Sequence, residues 1–328
     1  MRGASFLRVP VRAWMMVGLG LLAAGAPPLA CSGANSGSGF NGDGGTGALG
    51  DGSSGGALGN GEGGGGTIGS DGCSDAAKLV YVVDSTNGLH SFDPSTLKFS
   101  TIGKLKCPTS GGALSDPTPN SMGVDRSGTA WVNFDDGELF KVSTANAACT
   151  ATTYSPSNNQ NEQRWGMAFS SNAVGSTAET LFAVPNNGQS KGSGVNSLDL
   201  TSLKLSTIGP FTDGLAGKAA ELTGTGNGDL YAFVTTSPYA TLAKIDKTSG
   251  ATLLADQVPL DGVNTGMAFA FSFWGGDFWF YTSPDGVASS VTQYKASGDK
   301  SIDVVVGNTG FAIVGAGVST CAPTAPPR

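Results

Sequence analysis

Charged side chains are scarce in this chain of 328 residues. Lys, Arg, Asp and Glu make up 13% of it, and 18 basic against 25 acidic residues leave a net charge of −7. The Lys residues are scattered singly, so the clustered positive charge that contacts nucleic-acid phosphates is missing. This scarcity excludes nucleic acid as a partner, and the acidic surface keeps the protein soluble.

Helical periodicity is missing after about residue 75. Gly contributes 52 residues, and long stretches alternate Val, Ile, Phe, Tyr and Thr with polar residues, which is typical of strands and turns. The preceding part is first apolar and then Gly-rich, so only the later segment can build a core. It comprises about 245 residues, the size of one large β domain.

Long hydrophobic runs are confined to the N-terminus. Residues 1–12 carry three Arg and no acidic residue, and they lead into the apolar stretch 13–26. This stretch is too short to span a bilayer as a mature helix. Residues 1–30 are therefore interpreted as an export signal.

The export segment ends in Pro28-Leu29-Ala30-Cys31, followed by Ser32. Small residues before a Cys at this place resemble a bacterial lipobox, although Pro28 stands where that family usually has Leu. The resemblance implies that Cys31 carries acyl chains that anchor the protein to the lipid bilayer, with about 0.8 kcal/mol for each buried CH₂. Ser32 then favours the outer membrane, facing the periplasm or the cell surface. The alternative is an unmodified Cys31 thiol.

The next 41 residues, 32–72, contain no Lys or Arg and consist mostly of Gly, Ser, Ala, Asn and Asp. Such a segment cannot bury enough apolar surface to offset ordering, which predicts a disordered tether over residues 31–72 with a span of about 35 Å. The G-x-S-x-G pattern at residues 52–56 lies in this tether. It is rejected as a hydrolase nucleophile elbow, because an elbow needs a strand before it and a helix after it.

One ribbon occurs twice: FDPSTLKFSTIG at residues 92–103 returns as LDLTSLKLSTIG at residues 198–209. A second series of short segments begins at residues 121, 166, 221, 266 and 310, in steps of 45, 55, 45 and 44 residues. Behind each of the first four segments come an aromatic strand, a third strand and a fourth strand. Four strands in a unit of about 45 residues are typical of a β-propeller blade.

The two ends of this array complete each other. The first unit begins with its second strand at residues 79–83, whereas residues 308–318 form a first strand without followers. Pairing the two would remove exposed strand edges, which invite aggregation. The predicted fold is an all-β, five-bladed β-propeller over residues 73–322, closed by its N- and C-terminal strands and followed by a disordered tail at residues 323–328.

A strand and a turn are followed by the pattern L-Y-x-x at residues 230–233 and, after a loop, by L-x-x-I-D at residues 242–246. This pattern resembles secreted bacterial β-propellers of the NHL, YVTN and quinoprotein-like kinds over about residues 76–320. The resemblance implies the propeller fold. It implies no activity, because propellers serve as lectins, scaffolds, lyases, hydrolases and dehydrogenases.

Four cysteines remain besides Cys31, an even number that suits disulfides in an exported chain. Cys73 and Cys321 flank the termini that meet in the closing blade, while Cys107 and Cys149 end the neighbouring blades one and two. The ring therefore predicts the pairs Cys73–Cys321 and Cys107–Cys149. The alternative is four reduced thiols.

The chain has one histidine and no C-x-x-C motif, which limits its chemistry. A His-based zinc or copper site is excluded, and any Ser-His-Asp or Cys-His arrangement must use His90. His90 is interpreted as an ordinary strand residue, since Phe140, Ala243 and Thr292 occupy the equivalent places in other blades. No cofactor and no catalytic residue are predicted.

Calcium would need only oxygen ligands. The densest acidic group, Asp135, Asp136 and Glu138, is the candidate for it, but Asp-Gly between two strands is first a turn pattern. No metal is therefore predicted. Another acidic series recurs once per blade and is expected to cap turns; it consists of Asp93, Asp199 and Asp246.

Propellers usually bind ligands on the face where each first strand begins and each second strand turns into the third. Trp165 beside Arg164 is the most ligand-like pair there, although Trp165 would alternatively pack between blades. The predicted ligand-binding residues on this face are Asn120, Arg164, Trp165, Asn186, Asn187, Glu221, Tyr239, Asn264 and Asp285.

Two functions of different class remain. The first is a non-enzymatic envelope lipoprotein whose propeller binds a glycan, a peptide or an envelope protein. The second is a five-bladed hydrolase or lyase acting on carbohydrate, which needs two carboxyl groups across the channel. Asp125 and Glu221 are the acids near first strands. The absence of other catalytic groups favours the binding module.

Overall fold

The computed structural model describes residues 69, 72–110, 116–160, 162–186 and 194–326. The predicted export segment, Cys31, Asn187 and all of the predicted tether except Gly69 and Gly72 lie outside these residues. No helix in the described part is long and apolar enough to cross a membrane. The helical elements described are short 3-10 turns at Ala76–Lys78, Pro156–Asn158 and Leu254–Asp256.

The described strands form five antiparallel sheets of four strands each, the blades of a propeller. Blade one contains β1 (Val80–Asp84), β2 (Gly88–Asp93) and β3 (Lys98–Lys104). Blade two contains β4 (Pro119–Val124), β5 (Thr129–Phe134), β6 (Leu139–Ser143) and β7 (Cys149–Ala151). Blade three contains β8 (Trp165–Ser171), β9 (Glu179–Pro185), β10 (Val195–Asp199) and β11 (Lys204–Gly209).

The remaining strands build blades four and five and complete blade one. Blade four contains β12 (Ala220–Gly224), β13 (Leu230–Val234), β14 (Thr241–Ile245) and β15 (Val258–Pro259). Blade five contains β16 (Ala268–Trp274), β17 (Asp277–Ser283), β18 (Ser290–Tyr294) and β19 (Ile302–Val306). The last strand, β20 (Ile313–Val318), returns to blade one.

The ring closes through β20, which is the inner strand of blade one. It pairs antiparallel with β1 from Val80 opposite Val318 to Asp84 opposite Ile313. The predicted five-bladed propeller closed by its two ends is thereby confirmed. The closing strand begins five residues later than predicted, because Asn308 accepts a hydrogen bond from Gly310 N in a turn where Gly310 has φ of +83°.

Burial follows the distance of each strand from the ring axis. Every residue of the inner strand β8 is buried, whereas the outer strand β3 is half-buried or exposed throughout. The buried apolar side chains form five clusters, one between each pair of neighbouring blades. Inner strands are therefore buried on both faces, and they combine apolar and small residues with a few buried polar ones such as Ser121, Ser170 and Glu221.

The repeated ribbon builds the hairpin between the third and fourth strands. In blade one, Asp93 Oδ1 accepts hydrogen bonds from Ser95 N at 2.9 Å and Ser95 Oγ at 2.6 Å. In blade three, Asp199 Oδ1 accepts one from Ser202 N at 2.6 Å. The residue before the Lys in each copy, Leu97 or Leu203, has φ of +58° or +53°. The predicted turn capping by the recurrent Asp is confirmed, and Asp246 acts in the same way on Thr248 N.

Both predicted disulfides are confirmed. Cys73 joins Cys321 with a Cα–Cα distance of 5.7 Å, and Cys107 joins Cys149 at 4.9 Å. The first bridge ties the two ends of the ring together. The chain contacts the propeller beyond residue 322, the predicted end of the domain, because Pro323 O accepts a hydrogen bond from Gly275 N at 2.7 Å.

A polar network lies beside the terminal disulfide and joins three blades. Glu179 at the start of β9 accepts hydrogen bonds from Arg126 N at 3.0 Å and from Thr320 Oγ1 at 2.7 Å. Arg126 Nη1 donates to Thr320 Oγ1 at 3.1 Å, and its Nη2 lies 3.2 Å from Cys73 Sγ. Burial outweighs these hydrogen bonds and raises the pKa of Glu179 to about 7.

Replacing Cys73 and Cys321 together by Ala should destabilise the propeller more than replacing Cys107 and Cys149. The bridges close loops with sequence separations of 248 and 42 residues, for which loop entropy predicts about 5 and about 4 kcal/mol. Urea unfolding of both double variants measures the difference. A smaller loss for the terminal pair would contradict the view that this bridge restrains the ring ends.

Glu179→Gln should remove a pH dependence of stability. Because the folded pKa of Glu179 is about 7, above the ordinary 4.5, its favourable contribution is complete below pH 4.5 and is lost as the pH rises through 7. Between pH 4.5 and pH 7 the free energy of unfolding of the variant should therefore rise relative to that of the wild type by roughly 2 kcal/mol, after allowance for solvent screening. Urea unfolding across this range tests it, and parallel stability curves would refute it.

Candidate functional site

A cavity of about 240 Å³ opens where the inner strands begin, at the mouth of the central channel. All five blades contribute to its wall. The polar lining consists of Thr118, Asn120, Asp135, Arg164, Asn186 and Glu221. The apolar lining consists of Pro119, Met267, Ala268, Phe269 and Val314. We call this cavity the mouth site.

The mouth site brings together four residues predicted from the sequence. Asn120 lies in β4, Arg164 directly precedes β8, Asn186 directly follows β9 and Glu221 lies in β12. They converge because the starts of inner strands and the ends of second strands lie on one face of a propeller. Their convergence agrees with the face of the propeller on which the sequence predicts ligand binding.

Glu221 is the most buried polar group of the mouth site, with 2% of its surface exposed. Its Oε2 accepts a hydrogen bond from Ser121 Oγ at 2.6 Å, and its Oε1 accepts one from Asn186 Nδ2 at 2.7 Å. Ser121 Oγ in turn accepts from Met167 N at 3.2 Å. Burial is the largest influence and raises the pKa of Glu221 well above its ordinary value. The site therefore has a floor that favours the neutral acid.

A charged pair occupies the rim between blades two and three. Arg164 Nη2 lies 3.7 Å from Asp135 Oδ2, and its side chain is 45% exposed. Thr118 holds both oxygens of Asp135, through its backbone N at 3.0 Å and its Oγ1 at 3.1 Å. The carboxylate is thus fixed by the protein, while the guanidinium remains accessible to a ligand.

Asn120 holds a fixed orientation beside this pair. Its Nδ2 donates to Asn133 Oδ1 at 3.1 Å and to Trp165 O at 3.2 Å. Asn133 is itself fully buried and donates to Gln163 O at 3.0 Å. The polar wall is therefore preorganised, which reduces the entropy lost on ligand binding.

The opposite wall comes from blade five and is apolar. Met267 is 77% exposed although its side chain is hydrophobic. Phe269 is half-buried, with its ring centroid 5.8 Å from that of Phe233. The predicted start of this inner strand at residue 266 was two residues early, because Gly266 has φ of +64° and the strand begins at Ala268.

Trp165 does not face a ligand. It is 1% exposed and packs against Tyr154, with ring centroids 5.3 Å apart, between blades two and three. The alternative interpretation of Trp165 is the correct one. Adjacent strand residues point in opposite directions, so Arg164 reaches the mouth site while Trp165 enters the core.

Three other predicted residues lie outside the lining of the mouth site. Tyr239 is 42% exposed on the loop after β13. Asn264 Oδ1 accepts a hydrogen bond from Gly266 N, and Asp285 Oδ1 accepts one from Val287 N, each at 3.0 Å. The last two stabilise turns. Asn187 lies outside the described residues.

The acidic group Asp135, Asp136 and Glu138 does not form a metal site. Asp135 binds Thr118, Asp136 Oδ1 accepts from Glu138 N at 3.0 Å, and Glu138 Oε1 accepts from Ser110 N at 3.0 Å. Among the described residues, no group of three His, Cys, Asp or Glu side chains is placed to hold a metal ion.

Asp125 and Glu221 lie at opposite ends of the inner strands. Glu221 contacts Ser121 in the first half of β4, whereas Asp125 follows the last residue of β4, roughly 13 Å along an extended chain. Asp125 instead caps the β4–β5 turn by accepting from Ser127 N and Thr129 N, both at 3.0 Å. The carboxyl pair required for carbohydrate cleavage is therefore not formed by these two residues.

His90 is more than an ordinary strand residue. Its Nε2 lies 2.9 Å from Asp84 Oδ2 and its Nδ1 lies 3.1 Å from Thr101 Oγ1. Both partners were missed, because they lie on the neighbouring strands β1 and β3. A polar residue facing the core at the end of β1 was the sequence feature that could have drawn attention to Asp84.

No family model matches the chain, and no curated protein matches it. A hydrazine synthase of Kuenenia stuttgartiensis is 12% identical over 73% of this chain and 66% of its own, with a TM-score of 0.41. The Dos1 propeller is 11% identical over 74% and 61%, with a TM-score of 0.37. A luciferin-regenerating enzyme is 13% identical over 71% and 74%, with a TM-score of 0.39. At these values the functions of these proteins are not transferred.

Ser121→Ala should destabilise the protein by about 2 kcal/mol, because it removes a donor to buried Glu221 and the acceptor of Met167 N–H. Urea unfolding measures the loss. Ser157→Ala, at an exposed position of a 3-10 turn, is the matched control. A change as small as that of the control would show that the network is not stabilising.

Proposed function

We propose that this protein is an exported lipoprotein whose propeller binds a glycan at the mouth site without cleaving it. Acylated Cys31 anchors the chain to the outer membrane, and the Gly-rich tether holds the propeller away from the bilayer. The single observation that supports binding is the mouth site itself, with a preorganised polar wall facing an apolar wall across a cavity of about 240 Å³.

The chemistry of the two walls favours a sugar. The amides of Asn120 and Asn186 and the guanidinium of Arg164 suit hydroxyl groups, and Met267 with Phe269 offers a surface for the C–H face of a pyranose ring. A ligand held by one polar and one apolar face can be selected by shape as well as by hydrogen bonding. The neutral floor formed by Glu221 favours a ligand without net charge.

An extracytoplasmic location agrees with the two disulfides of the described residues, since such bonds persist in oxidising compartments. The proposed outer-membrane anchor rests on the sequence around Cys31, with Ser32 after it. Because this segment is joined to the propeller by a Gly-rich stretch, anchoring and ligand binding should be separable.

The alternative, a carbohydrate hydrolase or lyase, is less well supported. Asp125 is held in a turn away from Glu221. The carboxyl groups that do line the mouth site, Asp135 and Glu221, have their oxygens engaged by Thr118, Ser121 and Asn186. A general acid or nucleophile needs an oxygen directed at the substrate.

Arg164→Ala and Phe269→Ala should each weaken glycan binding at least about tenfold, because the first removes the exposed guanidinium of the polar wall and the second removes the aromatic ring of the apolar wall. The full chain is screened on a glycan array, and the affinity of each variant for the captured glycan is then measured by calorimetry. Asn264→Ala on the same face, outside the cavity lining, is the matched control and should bind normally.

Two results would overturn the proposal. Binding that survives both wall variants would place the ligand elsewhere, and cleavage of the captured glycan would favour the hydrolase. A Cys31→Ser variant should leave the membrane fraction while retaining glycan affinity, which separates the anchor from the binding site.

A further inference from the structure

A second polar group of the propeller lies on blade one, apart from the mouth site, and contains the single histidine of the chain. Asp84, His90 and Thr101 lie on the adjacent strands β1, β2 and β3, where His90 faces Val82 on one side and Thr101 on the other. Asp84 Oδ2 lies 2.9 Å from His90 Nε2, and His90 Nδ1 lies 3.1 Å from Thr101 Oγ1. The three side chains form one continuous hydrogen-bonded relay.

The environment of Asp84 keeps it ionised. Its Oδ1 accepts hydrogen bonds from Thr86 N at 2.7 Å, Thr86 Oγ1 at 2.8 Å and Gly88 N at 2.9 Å. Burial alone would raise the pKa of Asp84, but the hydrogen bonds from His90, Gly88 and Thr86 outweigh it and hold the pKa well below its usual range.

An ionised Asp84 determines the tautomer of His90. Its carboxylate can only accept a hydrogen bond from the nearer ring nitrogen, so neutral His90 carries its hydrogen on Nε2. Nδ1 is then unprotonated, and Thr101 Oγ1 donates to it. The relay thus places a base against a hydroxyl group, which is the arrangement that activates a nucleophile.

The ring of His90 is held in place from two sides. It stacks on Phe311 with centroids 4.1 Å apart and an interplanar angle of 6°. Gly88 packs against the Asp84–His90 contact so closely that any Cβ there would collide with both side chains. The packing requires glycine at residue 88.

The relay runs from the interior to the surface. Asp84 and His90 are 4% and 6% exposed, whereas Thr101 is exposed on the outer strand. Phe99 lies two residues before Thr101, on the same side of β3, and meets Phe311 edge-on with centroids 5.6 Å apart. A solvent-borne ester can therefore reach the hydroxyl beside a small apolar surface.

The duplicated ribbon supplies an internal comparison. Asn196 and Thr207 of blade three occupy the places of His90 and Thr101, and Thr207 Oγ1 donates to Asn196 Oδ1 at 3.0 Å. By the same register, Pro185 takes the place of Asp84. Blade three keeps the side-chain bond across the hairpin without a base or a carboxylate, so the hairpin itself does not require His90 or Asp84.

We propose that Thr101 is a nucleophile for acyl transfer, with His90 as its general base and Asp84 as the positioning residue, and that the protein hydrolyses esters of small acyl groups at this site. The activity goes beyond ligand binding at the mouth site and is independent of it.

The reaction balances without a cofactor. Thr101 Oγ1 bonds to the ester carbonyl carbon as its proton passes to His90 Nδ1, and the C–O bond to the alcohol breaks as that proton moves to the leaving oxygen. Water then attacks acyl-Thr101 and gives its proton to His90 Nδ1. The carboxylic acid leaves, and Thr101 recovers the proton.

The test uses the purified full chain and p-nitrophenyl acetate. His90→Asn and Thr101→Val should lower hydrolysis about 100-fold, and an acetyl group should be found on Thr101 by peptide mass mapping after rapid acid quenching. His90→Asn reproduces the blade-three pairing and should fold, which circular dichroism checks. Thr207→Val, the equivalent change in blade three, should retain full activity.

A spectroscopic readout tests the role of Asp84. Because the chain has one histidine, a ¹⁵N spectrum shows one imidazole, which should be the Nε2–H tautomer in the wild type. Asp84→Asn should shift it toward Nδ1–H and abolish hydrolysis, since an amide N–H now faces Nε2. Hydrolysis that persists in His90→Asn, acetylation at another residue or a wild-type Nδ1–H tautomer would each overturn the proposal.

Discussion

The pairing of β20 with β1 is the contact on which the rest of the propeller depends. Without it, β1 would present an open edge and the inner strands would not surround an axis. Closure also brings Phe311, just before β20, onto the ring of His90. Val314 of the same strand lines the mouth site. The closing segment, residues 311–318, thus links ring closure to both candidate sites.

Carboxyl groups with hydrogen-bond partners in two other blades lie on both faces of the propeller. Glu221 at the mouth site accepts hydrogen bonds from Ser121 and Asn186, and Glu179 at the start of β9 accepts them from Arg126 and Thr320. Each network crosses blade boundaries that the apolar clusters otherwise fill. Such bonds specify which blades are neighbours, since apolar contacts alone are less directional.

Repeat spacing was enough to predict the fold, because each blade must bury the same faces and so repeats the same pattern. The burial of individual side chains and their hydrogen-bond partners are harder to predict from the sequence. Arg164 and Trp165 are adjacent in sequence but point in opposite directions, and Asp125 and Glu221 both lie near inner strands but at opposite ends. The partners of His90 depend on strand register, which composition does not reveal.

The bridge between Cys73 and Cys321 raises a question of timing for a chain made from its N-terminus. Cys107 and Cys149 emerge while the partner of Cys73, 248 residues downstream, is still being synthesised. Oxidation joins thiols that meet early, so Cys73 is exposed to the wrong partners first. The native bridge of Cys73 can therefore form only after nearly the whole propeller is present, and any bridge that Cys73 forms earlier has to be exchanged for it.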